Sequence, residues 1–329
     1  MRTVSVIGFD GALASAITGV IDLFRLAGVT WARIHGDDPT PYFRTRLLTR
    51  AGEPCRCING ITLLADGAWE GSRPPADSDL VIIPTIGAPI DQVLHGNREL
   101  IEWLAAFAHA SPGQVRVASN CTGAFLLAEA GVLDGHQATT HWGYSSQFRQ
   151  RYPRVDLHPD KLVTVDGAVA CAGGGMAWWD LGIYLVEHFV GARVARELAR
   201  AFVIDAGRTS QAPYSVLQTK RYHSDKAILR LQDWLEQTFR EPISLRELAH
   251  QAGLTERSLL RRFKQATGDS PTTYLQLLRV EEARRRLSSS QASLETITRE
   301  VGYEDVSSFS RLFRNHTGLS PGAYRARFR

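Results

Sequence analysis

Apolar and polar positions divide the chain into two parts with different periodicities. Up to about residue 205, apolar runs of strand length such as VSVIGF, LVIIPTIG and VRVAS alternate with helical stretches such as TGVIDLFRLAG and MAWWDLGIYLVEHFV. That order predicts an α/β domain with a largely parallel sheet sandwiched by helices. Downstream the apolar spacing is helical only, which predicts an all-α domain. We therefore predict a first domain at 1–205, a polar linker at 206–223 and a helical domain at 224–329.

Within the helical part, residues 244–266 have the pattern of a helix-turn-helix. Ser244 and Glu247 form the S-x-x-E of a capping box, and Gly253 supplies a left-handed turn. Thr255 then caps a second helix. One face of that helix is predicted to be buried through Leu259, Phe263 and Ala266. We predict that 256–266 is a recognition helix.

The same pattern recurs about fifty residues downstream, with Gly302 at the turn and Asp305 as the cap. The second turn is one residue longer. The buried face of the second recognition helix is predicted to consist of Phe309, Leu312 and Phe313. The matching positions of the two copies are Phe263 and Phe313, Thr267 and Thr317, Gly268 and Gly318, Ser270 and Ser320, Pro271 and Pro321, and Tyr274 and Tyr324.

The opposite faces of the two recognition helices carry cations, small polar groups and two aliphatic side chains. Residues three and four apart share a face, where guanidinium groups can contact guanine edges or phosphates and aliphatic groups can contact thymine methyls. The side chains expected to contact DNA are Arg257, Ser258, Leu260, Arg261, Lys264, Val306, Ser307, Ser310, Arg311 and Arg314.

An amphipathic helix joins the two copies and is predicted to pack against both through Leu275, Leu278, Ala283 and Leu287. Its Arg284 to Arg286 run has two interpretations, a solvated helix face, which the charge pattern favours, or a phosphate clamp. From residue 224 onward 18 Lys and Arg stand against 13 Asp and Glu, whereas residues 1–223 hold 20 against 21. The excess positive charge therefore lies in the helical domain, as an electrostatic footprint for DNA requires.

The two closing motifs, G-x-S-P-x-x-Y and G-x-S-P-x-x-Y-R, make residues 224–329 resemble the DNA-binding domain of the AraC/XylS family of transcriptional regulators. A single helix-turn-helix pattern is weak evidence, but two copies with these signatures are specific. The resemblance implies binding to double-stranded DNA.

Cys121 is the most informative residue of the first domain. It follows a predicted buried strand and precedes an apolar helix, which is the layout of a nucleophile elbow. A helix N-terminus favours a thiolate, and His141 is the candidate base. Three interpretations stay open: a catalytic nucleophile, a thiol that lines a ligand pocket or senses redox state, and a buried structural remnant. The second is favoured.

The strings CTGAFLLAEAGVLDG and ATTHW, with Arg208 to Pro213 further on, make the first domain resemble the ThiJ/PfpI branch of the class I glutamine amidotransferase-like fold. The resemblance implies a domain that senses a small metabolite and dimerises. Two departures weaken a catalytic interpretation: Ser15 occupies the family's acidic position by rough alignment, and Ser119 replaces a glycine. The expected pocket residues are Ser15, Thr85, Ile86, Gly87, Asn120, Cys121, Thr122, His141 and Trp142.

The expected protein is a sequence-specific transcriptional regulator controlled by a metabolite bound near Cys121, and not an enzyme. The resemblance implies a homodimer, RNA polymerase as a possible further partner and an amino-acid or amine-type effector. The alternative is a cysteine-dependent amidase or glyoxalase-like hydrolase with a DNA-binding appendage. The four cysteines lack zinc-site spacing and no apolar run could span a membrane, so we expect no metal, cofactor or membrane partner, and a cytoplasmic, nucleoid-associated protein. VSVIGF is expected to form a first strand rather than a signal peptide.

Overall fold

The computed structural model describes residues 1–69, 78–109, 116–216 and 223–329. The chain forms two compact units, Met1–Gln211 and Ala212–Arg329. The boundary lies within the predicted linker at 206–223, and residues 217–222 of that linker lie outside the described residues. No helix among the described residues is long and apolar enough to cross a membrane.

The first unit is built on a sheet that has seven strands in the described part of the chain. The strands of the unit are β1 Arg2–Ile7, β2 Phe43–Arg50, β3 Cys55–Arg56, β4 Thr62–Leu63, β5 Gly67–Trp69, β6 Leu80–Ile83, β7 Val117–Asn120, β8 Gln137–Ala138, β9 Asp156–Leu157, β10 Val163–Asp166 and β11 Val169–Ala172. The order in the sheet is β10-β11-β7-β6-β1-β2-β5, and all neighbouring strands are parallel except the β10 and β11 pair. VSVIGF thus contributes to a first strand, as predicted.

Helices lie in the connections from β1 to β2 and from β6 to β7 and cover the sheet, which confirms the predicted α/β class. The central strands β6 and β7 are buried along their whole length, as expected when both faces of a parallel sheet are covered. The helices of this unit are α1 Ala14–Leu26, α2 Thr30–His35, α3 Ile90–Gly96, α4 Arg98–Leu104, α5 Ala124–Glu129, α6 Ser145–Arg151, α7 Trp178–Val190 and α8 Ala192–Ala201. Cys171 lies in β11 with no exposed surface, so its predicted place in the core is confirmed.

The second unit is all α, as predicted, and has two hydrophobic clusters, one for each helix-turn-helix. The cluster of the first includes Leu259 and Phe263, and that of the second includes Phe309 and Phe313. Its helices are α9 Lys226–Thr238, α10 Leu245–Ala252, α11 Glu256–Thr267, α12 Pro271–Ser289, α13 Leu294–Glu300, α14 Val306–Thr317 and α15 Pro321–Phe328.

Helix α12 contributes to both clusters, as predicted, but it also holds a buried cation that the apolar pattern omits. Arg279 is 8% exposed and donates to the carbonyl oxygens of Phe239, at 2.7 Å, and Glu241, at 2.6 Å. Its guanidinium also lies 5.1 Å from the ring centroid of Tyr303. Arg279 therefore joins the end of α9 to the turn of the second helix-turn-helix.

The Arg284 to Arg286 run is only in part the solvated face that the charge pattern favoured, because Arg285 is exposed, Arg286 is partly buried and Arg284 is buried. Arg284 is buried and donates to the carbonyl oxygens of Ala212, at 3.0 Å, and Ser215. Arg285 and Arg286 both pair with Glu282. The terminal nitrogens of Arg284 are bonded inside the unit and its Nε is buried, so Arg284 serves packing rather than phosphate binding.

Candidate DNA-binding surface and candidate ligand site

The first helix-turn-helix forms through the caps predicted from the sequence. The Ser244 hydroxyl accepts from the Glu247 N–H at 3.2 Å, and the Glu247 carboxylate accepts from the Ser244 N–H at 2.7 Å, which completes a capping box. Gly253 closes α10 at φ 65°, and Thr255 accepts from the Ser258 N–H to begin α11. The recognition helix therefore starts at the predicted residue and ends one residue later, at Thr267.

The second helix-turn-helix repeats this construction with a longer turn. Gly302 has φ 85°, and the Asp305 carboxylate accepts from the Ser308 N–H at 2.6 Å at the start of α14. The recognition helix begins three residues after Gly253 and four after Gly302, as the spacing predicted. The local sequence thus sets the start of each recognition helix.

The matching Thr, Gly, Ser and Pro positions have the same task in both copies. The hydroxyls of Thr267 and Thr317 donate to the carbonyls four residues earlier, each at 2.8 Å. A glycine at positive φ then ends each recognition helix, and a Ser cap followed by Pro begins the next one. The repeated Thr-Gly-x-Ser-Pro sequence therefore determines where each recognition helix ends and where the next helix begins.

The cations of the recognition helices differ from several arginines elsewhere in this unit that are engaged in ion pairs. Arg262 is on α11 as well, but it pairs with Asp225 at 2.6 Å, and Arg240, Arg285 and Arg286 all pair with Glu282. By contrast, no ion pair is formed within the described residues by the exposed cations Arg257, Arg261, Lys264, Arg311 and Arg314. Unpaired exposed cations on one helix face are available to phosphates and base edges.

The remaining residues of the predicted DNA-binding surface differ in their exposure to solvent. Leu260 is 40% exposed and Ser307 is also exposed, whereas Val306 and Ser310 are partly buried. Ser258 is also partly buried, and its hydroxyl accepts from Thr255 at 3.0 Å. A hydroxyl engaged at the helix N-terminus has less freedom to reach a base.

Cys121 lies at the predicted strand-to-helix turn. It follows β7 directly, begins a short 3₁₀ turn that leads into α5, and has φ 55°, which non-glycine residues rarely adopt. A side chain at Gly123 would lie 2.4 Å from the Pro84 carbonyl oxygen, so the close approach of the two loops needs glycine there. The geometry is that of a nucleophile elbow.

The environment of the Cys121 thiol does not produce the thiolate that the helix N-terminus was expected to favour. Burial raises the pKa of Cys121, and hydrogen bonds with Thr122 and Thr85 lower it by less. The thiol is 4% exposed. Desolvation of the charged form therefore outweighs these hydrogen bonds, and burial acts against the thiolate that the helix N-terminus was expected to favour.

His141 is oriented unfavourably for a base. Its Nδ1 accepts from the backbone N–H of Gly143 at 3.0 Å, so the neutral ring carries its proton on Nε2. In that tautomer neither nitrogen has a lone pair free to remove a proton from the thiol. Burial also lowers the pKa of His141, which favours this neutral form.

The predicted pocket residues divide into a buried group and an outer group. Asn120 Nδ2 donates to Thr85 Oγ1 at 2.5 Å, and Thr122 Oγ1 donates to the Ile86 carbonyl at 2.9 Å. These four residues and Cys121 are buried. In the outer group, Ser15 is exposed on the first turn of α1, Gly87 donates its N–H to the Gly11 carbonyl, and His141 and Trp142 are partly buried.

Gln211 belongs to this region although sequence analysis did not single it out. It is 1% exposed, and its side-chain amide donates to the carbonyl oxygens of Thr140, at 2.8 Å, and Lys161, at 3.2 Å. Its Oε1 accepts from the Trp142 N–H at 3.3 Å. Thr140 in turn donates to the Cys121 carbonyl at 2.9 Å. The only sequence signal for Gln211 was its place in the R-x-x-Q-A-P string.

Within the described residues, no group of three or more His, Cys, Asp or Glu side chains could hold a metal ion. All four cysteines are free thiols, and all four are buried.

Comparison with known proteins identifies both units. The model of the DJ-1/PfpI family matches residues 2–188, and a helix-turn-helix domain model matches residues 248–327. The chain is 29% identical to the HTH-type transcriptional regulator CdhR of Pseudomonas aeruginosa over 89% of its own length and 84% of that protein. It is 27% identical to the HTH-type transcriptional regulator GlxA of Rhizobium meliloti, over 65% of this chain and 66% of that one. Among solved structures, a ThiJ/PfpI family protein from Pseudomonas syringae covers 62% of this chain and 75% of its own, with a TM-score of 0.50 at 15% identity, which shows a shared fold.

Proposed function

Since the chain belongs to the AraC/XylS family of transcriptional regulators with an N-terminal DJ-1/PfpI domain, we propose that a small metabolite bound near Cys121 controls its binding to specific DNA sites. The observation that carries the DNA-binding part is the set of unpaired exposed cations on two recognition helices. Several other arginines of the unit, Arg262 among them, are engaged in ion pairs, whereas the exposed Arg230 of α9 forms none within the described residues.

The two recognition helices supply the contacts with DNA in this proposal. The exposed faces of α11 and α14 contact base edges and phosphates, and Arg257 and Arg311 are the principal base-contacting residues. Successive major grooves on one side of the duplex are roughly 34 Å apart, so one chain can occupy two of them. A homodimer formed through the first unit would then span two direct or inverted half-sites, next to which RNA polymerase can bind.

The buried polar groups around Cys121 support a ligand site there. Asn120 is fully buried, and its Oδ1 has no hydrogen-bond partner among the described residues. Buried polar atoms without partners are rare, so a ligand group that donates to this oxygen would complete the network. A metabolite with an ammonium or amide N–H, such as an amino acid or amine, has that donor.

Two consecutive residues offer a route from the ligand site to the DNA-binding unit. Gln211 is held beside Thr140 and Trp142 in the first unit, and the next residue, Ala212, has its carbonyl held by Arg284 in the second. Arg284 lies on α12, the helix that both helix-turn-helix units pack against. A ligand that shifts Thr140 would therefore pull on the segment that Arg284 holds. Control requires that the ligand bind the two resulting states with different affinity.

The elbow geometry at Cys121 favours one alternative, a cysteine-dependent amidase or glyoxalase-like hydrolase. Such an enzyme needs a base for the thiol and a low thiol pKa. The tautomer of His141, the raised pKa of Cys121 and the serine at position 15 all count against it. We therefore favour a regulator without turnover. A DNA-binding regulator works where the DNA is, so the proposal requires the cytoplasm and its nucleoid.

Footprinting across the source genome with purified full-length protein tests the proposal. The wild type is expected to protect discrete sites that the Arg257→Ala, Arg311→Ala double variant no longer protects. Arg230→Ala, which removes an exposed arginine of α9, is the matched control and should leave the sites protected. Weak, unpatterned binding that all three proteins share would contradict sequence-specific recognition.

A further inference from the structure

The first unit contains a cavity whose lining differs from the pocket predicted at Cys121. It has a volume of about 450 Å³ and lies at the carboxyl ends of β1, β2 and β5, next to α3. None of the nine predicted pocket residues lines it. Ligand sites commonly have volumes of about 300 to 1,000 Å³, and open α/β sheets bind ligands at the carboxyl edge.

The floor of this cavity is buried and mostly apolar. Phe9, Cys55, Trp69 and Val93 line it and are 3% to 9% exposed. Gly8, also in the lining, leaves room for the Cys55 thiol, since a side chain there would lie 2.8 Å from its sulfur. A floor of this kind suits the carbon body of a small molecule.

The rim is polar and carries more negative than positive charge. Asp10, Glu53 and Arg50 are its charged groups, and Arg50 is already paired at 2.6 Å with Glu99. Neither Asp10 nor Glu53 forms an ion pair within the part of the chain that the structure describes. Two carboxylates without a cation partner above an apolar floor complement a cation with a carbon body.

Both carboxylates project from a fixed backbone. The Asp10 Oδ1 accepts from the Arg56 N–H at 2.8 Å, which leaves its second oxygen for another donor. The Glu53 N–H donates to the Arg50 carbonyl at 3.0 Å, and its carbonyl accepts from the Thr49 hydroxyl at 2.6 Å. The backbone at both positions and one oxygen of the Asp10 carboxylate are therefore held before a ligand arrives, which lowers the entropic cost of binding.

We propose that this cavity binds a small organic cation, with its charged nitrogen between Asp10 and Glu53 and its carbon body on Phe9 and Trp69. The site does not depend on the ligand proposed near Cys121, and its test needs no DNA. A failure here would leave the proposed regulator function untouched.

Three probes of matched size test the charge preference: n-butylammonium, n-butanol and butyrate, mixed at equal concentration with the full-length protein. Saturation-transfer NMR is expected to show the strongest transfer to n-butylammonium. The Asp10→Asn, Glu53→Gln double variant should bind it at least tenfold more weakly, whereas Asp38→Asn, which removes an exposed carboxylate elsewhere in the unit, should bind as the wild type does. Equal transfer to the three probes, or an unchanged affinity in the double variant, would overturn the proposal.

Discussion

The side-chain amide of Gln211 donates to the carbonyl oxygen of Thr140 over 2.8 Å. Gln211 is the last residue of the first unit, and Thr140 is bonded through its hydroxyl to the Cys121 carbonyl. The end of the first unit is thus tied by two hydrogen bonds to the predicted ligand site. The connection suits a protein in which ligand binding must reach a DNA-binding unit that follows in the chain.

Replacing Gln211 by methionine should destabilise the first unit. The change keeps the side-chain volume but leaves the carbonyls of Thr140 and Lys161 without this donor, at a cost of about 1–3 kcal/mol. Unfolding in urea measures the change in the free energy of unfolding. Gln147→Met, on an exposed position of α6, is the control and should have little effect. Equal effects of the two substitutions would show that the buried hydrogen bonds of Gln211 contribute no net stability.

Removing a recognition-helix arginine should weaken specific binding much more than non-specific binding. Arg257→Ala and Arg311→Ala are each expected to lose roughly 1–3 kcal/mol on the specific site if they contact base edges. Fluorescence anisotropy on a footprinted site and on random DNA at one salt concentration measures both. A loss of the same size on random DNA would instead assign the two arginines to phosphates.

The two turn glycines should differ in their tolerance of alanine. Gly253 has φ 65° with open space around it, so Gly253→Ala should cost only the roughly 1–2 kcal/mol of a left-handed alanine. Gly302 has φ 85°, and a Cβ there would lie 2.5 Å from the Arg240 carbonyl oxygen. Gly302→Ala should therefore destabilise the second unit more, as measured by hydrogen exchange of α13 and α14. Equal costs for the two substitutions would contradict this prediction and would mean that the Arg240 carbonyl moves away from the new methyl group at little cost.

Acid should weaken the second unit through Glu282. Hydrogen bonds from Arg285 and Arg286 lower the pKa of Glu282 to about 2, from an ordinary value near 4.5. A carboxyl whose pKa is lowered by folding stabilises the protein above its unfolded pKa, and that stability is lost as the pH falls toward the folded value. The difference in thermal midpoint between wild type and Glu282→Gln should therefore shrink from pH 5 to pH 2. A constant difference over that range would contradict the linkage.

Cys121→Ala should leave the DNA affinity of the ligand-free protein unchanged, since the thiol is buried within the first unit. If the protein is a regulator, the same variant should lose or alter only its response to an effector. Fluorescence anisotropy of labelled DNA, measured with and without candidate amines and amino acids, gives the DNA affinity of both proteins and its response to an effector. An amidase or glyoxalase turnover that Cys121→Ala abolishes would favour the enzyme alternative.

Structural features that depend only on residues close in sequence could be predicted from the sequence. Caps, turn glycines and the Thr-Gly-x-Ser-Pro strings act over a few residues, so the starts of α11 and α14 followed from the sequence. Arg279 could have been found in the same way, because it lies midway between Leu275 and Ala283 at steps of four on one helix face. The apolar pattern hid it because a cation is not expected there.

By itself the sequence determined the two-domain plan, the repeated helix-turn-helix, the elbow at Cys121 and the cations that face outward. Only the tertiary structure decided that Arg284 is buried, that Gln211 is held by Thr140, that burial raises the pKa of Cys121, and that Asp10 and Glu53 meet at one cavity. The reason is physical. Helix caps and turns are fixed by contacts a few residues apart, whereas burial, desolvation and the meeting of distant loops depend on how the whole chain packs.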